Sequence, residues 1–352
     1  MLRMIFYLSK IFLARWLVTI FGMVVLVGLL DSLANAAAIS ASPDGNALRY
    51  MTLRLPIIFD LVFLFSLMLA LLLTFVSLIR RNELVAIQGI GLSIFAQIRA
   101  LVPIVLIISI GAATLIDRTL PPSVQELNAW GIGEYESANI TEETPLWVND
   151  NGLFVRMKGR IGLDILTDLT FFHRNDAGYL QRVTWARRAQ YIDGNWMLDS
   201  TDTLIVDNAQ SPPPPISVWE TNQTPQLIDK LAAEPRDLAI SDLSAFASFR
   251  GSGSRPSVSY KVWQFKRLGL PFAAIALLLL AAPIMQRLGR RDSGTRELII
   301  GVGITFLFMI VDGIMATMGA NGAAPAFIAA LGASITIAAI GIYLWLRQEI
   351  LA

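Results

Sequence analysis

The chain has no cysteine and a single histidine, His173. Without cysteine, disulfides, thiol nucleophiles and thiolate metal sites are excluded. A metal centre built on one imidazole would need carboxylates alone, and no clustered set of them appears along the sequence. His173 follows "TFF" beside a turn signal and reads as a surface residue at a strand end. The phosphate-cradling pattern G-x-x-x-x-G-K-[ST] is also missing, which excludes nucleotide binding of the P-loop kind. Asp193 and Asp199 flank a hairpin, where turn chemistry accounts for them. No residue is nominated as catalytic or as a metal ligand, no cofactor is expected to bind the chain directly, and no nucleic-acid partner is expected.

Charge is scarce too. Charged residues make up 16% of the chain and hydrophobic ones 55%, with a mean hydropathy of +0.58, whereas soluble chains carry about a quarter charged residues. Apolar runs dominate. A hydrocarbon core of roughly 30 Å needs about 20 apolar residues in a helix, and six stretches qualify: Phe12–Leu30, Ile58–Ile79, Ala100–Ile116, Leu268–Met285, Glu297–Met318 and Ala323–Leu346. The third is interrupted by Pro103 and Gly111 and ends at Asp117-Arg118. The first reads as an uncleaved anchor. Arg3, Lys10, Arg80, Arg81, Arg99, Arg287, Arg290, Arg291, Arg296 and Arg347 fall on one side of these spans, with Arg49 and Arg54 on the other. The positive-inside rule then predicts cytoplasmic termini and an external middle segment.

That middle segment has a different pattern. "PLWVNDNGLFVRMKG", "LDILTDLTFFHRNDAGYLQRVTWARRAQYIDGNWML", "STDTLIVDNAQ" and "ISVWE" are strand-like, punctuated by hairpin signals at Asn151-Gly152, Asn175 to Gly178 and Asp193-Gly194. The spacing suits an antiparallel sandwich, jelly roll or open half-barrel, with Pro212 to Pro215 at an edge or crossing strand. From "TPQLIDKLAAEPRDLAISDLSAFASFR" the pattern turns helical, and "GSGSRPS" reads as a hinge. The expected fold is a six-helix membrane protein with an extracytoplasmic β-jelly-roll-like domain inserted between the third and fourth spans. Its domains are residues 1–120, 121–262 and 263–352. In "DILTDLTFF", strict alternation predicts that Ile165, Thr167, Leu169 and Phe171 face the domain interior.

Charges within the spans are costly at depth. Asp312, in "FLFMIVDGIMATMG", lies well inside its helix and is expected to face a cavity, partner helix or water path. Asp31, Asp60, Lys266 and Arg267 lie near outer ends, where contact with interfacial water or surface anchoring is a sufficient account. Between the second and third spans, "SLIRRNELVAIQGIGLSIFAQIRALVP" carries a short amphipathic helix, about residues 81–98. Leu84, Ile87 and Gly91 share one stripe at three- and four-residue spacing, and Glu83 at its start complements the helix dipole. A helix lying on the lipid surface is one reading of this segment; docking into a partner is the other.

Three stretches carry a resemblance. "RRNELVAIQGIGLS", "PFAAIALLLLAAPIMQRLGRRDSGTRELIIGVGITFLFMIVDGI" and the opening "LRMIFYLSKIFLARWL" resemble the LptF/LptG family of lipopolysaccharide-export permeases. The first helix and "NELVAIQGIG" lie closer to its LptG branch. The resemblance implies a permease subunit of an ATP-driven exporter in the bacterial inner membrane. Such a subunit works with a homologous second permease, a cytoplasmic ABC ATPase dimer that binds the ATP, and a periplasmic β-jelly-roll carrier. It implies that Arg81, Glu83, Leu84, Ile87 and Gly91 form the ATPase-coupling contact. Asp312, Arg49, Arg54 and Leu169 are candidates for the lipopolysaccharide path. Where the LptG branch carries lysines at the outer end of the first helix, this chain has "LLDSLANAAAIS". A non-enzymatic membrane sensor or envelope-assembly factor with an external β domain is the alternative class.

Overall fold

A computed structural model describes residues 2–42, 46–83, 89, 93–131, 140, 142–150, 152–162, 164–175, 178–206, 216–248, 255–288 and 295–350. Leu84, Ile87, Gly91, Asn151 and Pro212 to Pro215 lie outside the described residues. The chain divides into two compact units, residues 1–123 with 261–352, and residues 124–260.

The first unit is helical. Its long helices are α1 (Leu2–Ala34), α3 (Ala47–Arg80), α4 (Ile94–Trp130), α7 (Ser257–Leu288), α8 (Thr295–Ala320) and α9 (Ala326–Ile350), with a short α2 (Ala36–Ala41) after α1. Among the described residues these six are the helices long and apolar enough to cross a membrane. Five contain the spans expected from the sequence, and α9 starts at Ala326, three residues inside the expected Ala323–Leu346. α4 differs most from expectation: it continues beyond Asp117-Arg118 through Pro121 and Pro122 to Trp130. The two proline nitrogens withdraw the bonds that Asp117 and Arg118 carbonyls would otherwise accept, yet the helical path persists. α3 starts under Asn46, whose side chain accepts from the backbone N–H groups of Leu48 and Arg49.

Along most of its length α3 is covered; Phe63, Leu67, Met68, Leu71, Leu72 and Phe75 are fully buried. It packs against α1 and α8, and α8 packs against α9. Small residues allow the close approaches. A Cβ on Gly341 of α9 would lie 2.6 Å from the Leu279 carbonyl oxygen of α7 and 2.9 Å from the Leu280 nitrogen. Because backbone rather than a movable side chain stands there, no larger residue fits.

The second unit holds one antiparallel sheet of six strands in sequential order: β1 (Leu146–Asp150), β2 (Leu153–Ile161), β3 (Ile165–Arg174), β4 (Leu180–Ile192), β5 (Asn195–Ile205) and β6 (Val218–Trp219). Then follow α5 (Pro225–Ala232), capped by Thr224, a 3-10 turn (Pro235–Asp237) and α6 (Ile240–Ser248). Asp193 and Gly194 take φ of 48° and 88°, the left-handed pair that a two-residue hairpin requires. The sheet curls. Trp219 pairs with Trp196 of β5, meets the Phe171 ring of β3 edge-on at 5.6 Å, and donates from Nε1 to Asp150 Oδ2 of β1 at 3.1 Å. One edge of the sheet thus reaches the other, giving a half-barrel.

The interior face does not follow strict alternation. Val155, Met157, Leu169, Phe171, Thr184 and Ala186 are buried on one side of the row that contains Lys158, Asp168, Arg187 and Ser200. Beyond that row the buried positions are Leu166, Ala189 and Trp196. Asp168 and Ser200 both have φ of 53°. A left-handed residue in a strand changes which face its successors point to, so the parity flips without a change of register. Leu169 and Phe171 are interior as expected, while Ile165 and Thr167 are only half-buried and Leu166 takes the core position. Arg160 to Asp229, and Trp196 Nε1 to the Gln223 carbonyl at 2.7 Å, fasten α5 and the segment before it to this face.

At the far end of β3, His173 lies cross-strand from Arg182, whose Nη2 is 3.2 Å from Nδ1. Burial, and secondarily the Arg182 charge, push its pKa down to about 4.

Two outcomes test these features. Asp168→Gly should leave thermal stability unchanged or raise it slightly, whereas Asp168→Val should cost about 1–2 kcal/mol, because a β-branched residue resists the left-handed conformation. For His173, the unfolded imidazole titrates near 6.5 and the folded one near 4, so between those values the unfolded chain binds the extra proton. Stability should be full above about pH 6.5 and fall as pH drops towards 4, and His173→Asn should flatten that slope in thermal melts.

Candidate functional site

Four constellations contain the residues singled out from the sequence, and three of them lie in the helical unit. The first is at the end of α3. Arg81 closes the helix, its N–H bonding the Ser77 carbonyl at 3.1 Å, and Asn82 adopts φ of 56°. An asparagine in this conformation turns the chain out of a helix at little cost. The turn brings Glu83 to α1, where Oε2 accepts from the Tyr7 hydroxyl at 2.7 Å and Oε1 lies 3.9 Å from Arg81 Nη1. Arg81 is largely exposed, so that ion pair contributes little by itself. Glu83, Arg81, Arg15, Ser77 and Leu73 border a cleft of about 410 Å³ between α1 and α3. Inside it, the Arg15 guanidinium donates to the Leu73 carbonyl.

The second constellation joins the opposite ends of the same two helices. Asp31 of α1 accepts from Arg54 Nε at 2.9 Å and Nη2 at 2.5 Å, and from the Tyr50 hydroxyl at 2.9 Å. The fork geometry is bidentate, and both charged side chains are nearly covered. Asp31 is therefore held by protein, a stronger account than contact with interfacial water. Arg49, one turn earlier on α3, is half-buried.

In the third, Asp60 of α3, Lys266 and Arg267 of α7 and Asp312 of α8 border a cavity of about 180 Å³ with Trp263, Leu270 and Phe308. Lys266 forms an ion pair with Asp312, with its ammonium 5.5 Å from the Trp263 ring centroid. The anchoring role expected for Lys266 gives way to a cross-helix pair, and Asp312 meets a partner helix and a cavity, two of the three settings expected for it. The fourth position, Leu169, is 1% exposed on the interior face of the half-barrel.

A family model described as "Lipopolysaccharide export system permease LptF/LptG" matches residues 4–347. The chain belongs to the LptF/LptG family. It is similar to the lipopolysaccharide export system permease protein LptG of Escherichia coli K12, with 24% identity over 358 residues, covering 97% of this chain and 98% of the relative. The LptG of Haemophilus influenzae is 22% identical over 306 residues, covering 81% of each chain. The resemblance to LptF/LptG and to its LptG branch thus holds along nearly the whole length. The six apolar helices and the inserted half-barrel make the chain a multi-pass membrane permease of that family.

The LptF/LptG residues singled out from sequence do not converge on one spot. Arg81 and Glu83 are neighbours, while Leu84, Ile87 and Gly91 lie outside the described residues. Arg54 and Arg49 stand at the α3 start, Asp312 beside α7, and Leu169 in the other unit. Sequence reasoning missed Tyr7, Tyr50 and Lys266 as partners. The Tyr7–Glu83 and Lys266–Asp312 pairs span 76 and 46 residues, and no local pattern signals a contact at such separation.

Removing one member of a mostly covered ion pair leaves the other charge without compensation, at a cost of about 2–3 kcal/mol here. Lys266→Met is expected to lower the thermal stability of the purified protein by that order. Adding Asp312→Leu should recover at least half of the loss; a double variant no more stable than the single one would contradict the pairing.

Proposed function

We propose that this chain is the LptG-like permease subunit of an ATP-driven exporter that extracts lipopolysaccharide from the bacterial inner membrane and passes it to a periplasmic carrier. In this reading the termini are cytoplasmic and the half-barrel is periplasmic. A homologous second permease completes the membrane part, and a separate ABC ATPase dimer binds and hydrolyses the ATP. The observation that carries the reading is Glu83. It is an acid set at the mouth of a cleft by a left-handed turn, at the start of the segment whose sequence resembles the family's ATPase-docking helix. Arg81, Leu84, Ile87 and Gly91 complete the contact. Large apolar side chains of α1 and α8, among them Phe6, Val18, Phe21, Phe306 and Leu307, are exposed, as suits helices that meet lipid or a second permease.

On the cargo side, the proposed path runs by Arg49, Arg54 and Asp312 and enters the half-barrel past Leu169. Arg54 would meet a phosphate by exchanging it for Asp31, and the Lys266–Asp312 pair offers a second exchangeable cation. Acyl chains reaching Leu169 would displace part of the interior packing that buries it, and each methylene sheltered from water contributes roughly 0.8 kcal/mol.

Affinity purification of the chain from its native membrane in mild detergent should recover an ABC ATPase and a second permease, and Glu83→Ala should lose the ATPase while the chain remains in the membrane. Recovery of the wild-type chain without an ATPase would favour the sensor class instead. A photo-crosslinking residue at Leu169 should capture lipopolysaccharide only when ATP is supplied; crosslinks to protein alone during active export would take the half-barrel interior out of the path.

A further inference from the structure

The carboxylate of Glu83 has more capacity than its contacts among the described residues use. An ionised carboxylate accepts up to about four hydrogen bonds. Here one oxygen receives the Tyr7 hydroxyl at 2.7 Å, and the other faces Arg81 at 3.9 Å, beyond hydrogen-bond distance. Glu83 can therefore take a donor from a docked partner while it keeps Tyr7.

Tyr7 belongs to a stripe of α1. Tyr7, Ile11, Ala14, Arg15 and Val18 recur at three- and four-residue spacing, so they share one face, and the last four border the cleft against Leu73 and Ser77 of α3. Among the described residues, two polar contacts reach across this face: the Arg15 guanidinium to the Leu73 carbonyl, and Tyr7 to Glu83. They are eight residues apart, about 12 Å along the helix axis. Leu8 and Phe12, on the flank of this stripe next to Arg15, are buried. Packing thus holds one side of the first turns of α1, and on the cleft side a hydrogen bond joins them to the residue that leads into the coupling segment.

We infer that Tyr7 is a positioning residue that ties Glu83 to α1, so that movement of the coupling segment is delivered directly to the first membrane helix. This rests on the reading that Glu83 meets the ATPase. The tie is a relay and not a competitor for the docking acid, because the second carboxylate oxygen and the remaining lone pairs of the first take no hydrogen bond from the described residues.

The test uses the whole exporter, purified with its ATPase and second permease and reconstituted in vesicles containing lipopolysaccharide. Tyr7→Phe removes the hydroxyl and keeps the ring. ATPase association, and the kcat and KM for ATP, should stay at wild-type values, while lipopolysaccharide exported per ATP hydrolysed should fall about tenfold, the low end of the range for one hydrogen bond to a charged group. In a Glu83→Gln background the same change should cost less than about twofold, because a neutral acceptor forms the weaker bond. An unchanged export-to-ATP ratio in Tyr7→Phe would overturn the inference. So would tighter ATPase association, which would make Tyr7 a competitor, or an undiminished loss on the Glu83→Gln background, which would place its action elsewhere. Glu83→Ala separates the two levels of the argument: if that variant keeps ATPase association and export, the docking assignment of Glu83 fails whatever Tyr7→Phe does.

Discussion

A charge carried into an apolar bundle has to be met by another helix, and in this chain that requirement sets how the helices are joined. Asp31 of α1 takes the fork of Arg54 on α3, Arg15 of α1 takes a carbonyl of α3, and Asp312 of α8 takes Lys266 of α7. These ties run between α1 and α3 and between α7 and α8. Other joints are apolar and close, as where Gly301 of α8 admits Leu72 of α3 and Gly341 of α9 admits the α7 backbone. In lipid, burial of apolar surface gives little preference for one helix neighbour over another, so packing fit and polar contacts decide. Polar pairs fix register, and small residues fix distance.

The half-barrel unit obeys the opposite solvent. There the hydrophobic effect operates, and the sheet must curl to cover one face. The curl comes from a row of residues at which the side-chain parity changes, with Asp168 and Ser200 in the left-handed conformation on alternate strands. Aromatic groups then close the end: Phe171, Trp219 and Trp196 form a chain of ring contacts, and the Trp219 indole finds Asp150 on the far edge. A buried indole N–H needs an acceptor, so the same residue that fills the interior also fastens the two edges.

Much of this was legible before the structure. Six apolar runs, the hairpin at Asp193-Gly194 and the helical turn of pattern after Thr224 follow from length, periodicity and turn chemistry, which are local. The parity flip at Asp168 was not legible, because "LTDLT" carries the same alternation whether the aspartate is extended or left-handed. α4 outran its expected end because prolines lower helix propensity without forbidding helix when the surroundings hold it. Of the site, Glu83 was visible from its place before an apolar stripe, whereas its partner was not. Tyr7 reads as an interfacial aromatic, and only the fold of α1 against the end of α3 gives it a carboxylate.

Polar ties also suit a membrane protein that has to move. A jigsaw of apolar side chains opens with loss of contact all along its length, whereas an ion pair or a carboxylate–hydroxyl bond can be exchanged for another partner of like chemistry with a small net change. In the proposed reading Asp31 with Arg54 and Asp312 with Lys266 would each hold a cation that an anionic group could claim, and each acid would then need a new donor. Such exchange couples what binds to which helices stay joined. At the other end of α1 the arrangement differs: if a partner docks at Glu83 as proposed, the carboxylate could gain a donor without losing Tyr7, so that binding would add a link instead of swapping one. In the proposed reading α1 would yield its stronger tie, the Asp31–Arg54 fork, only to an arriving anion, and would gain a link at its weaker tie, Tyr7–Glu83, when a partner docks.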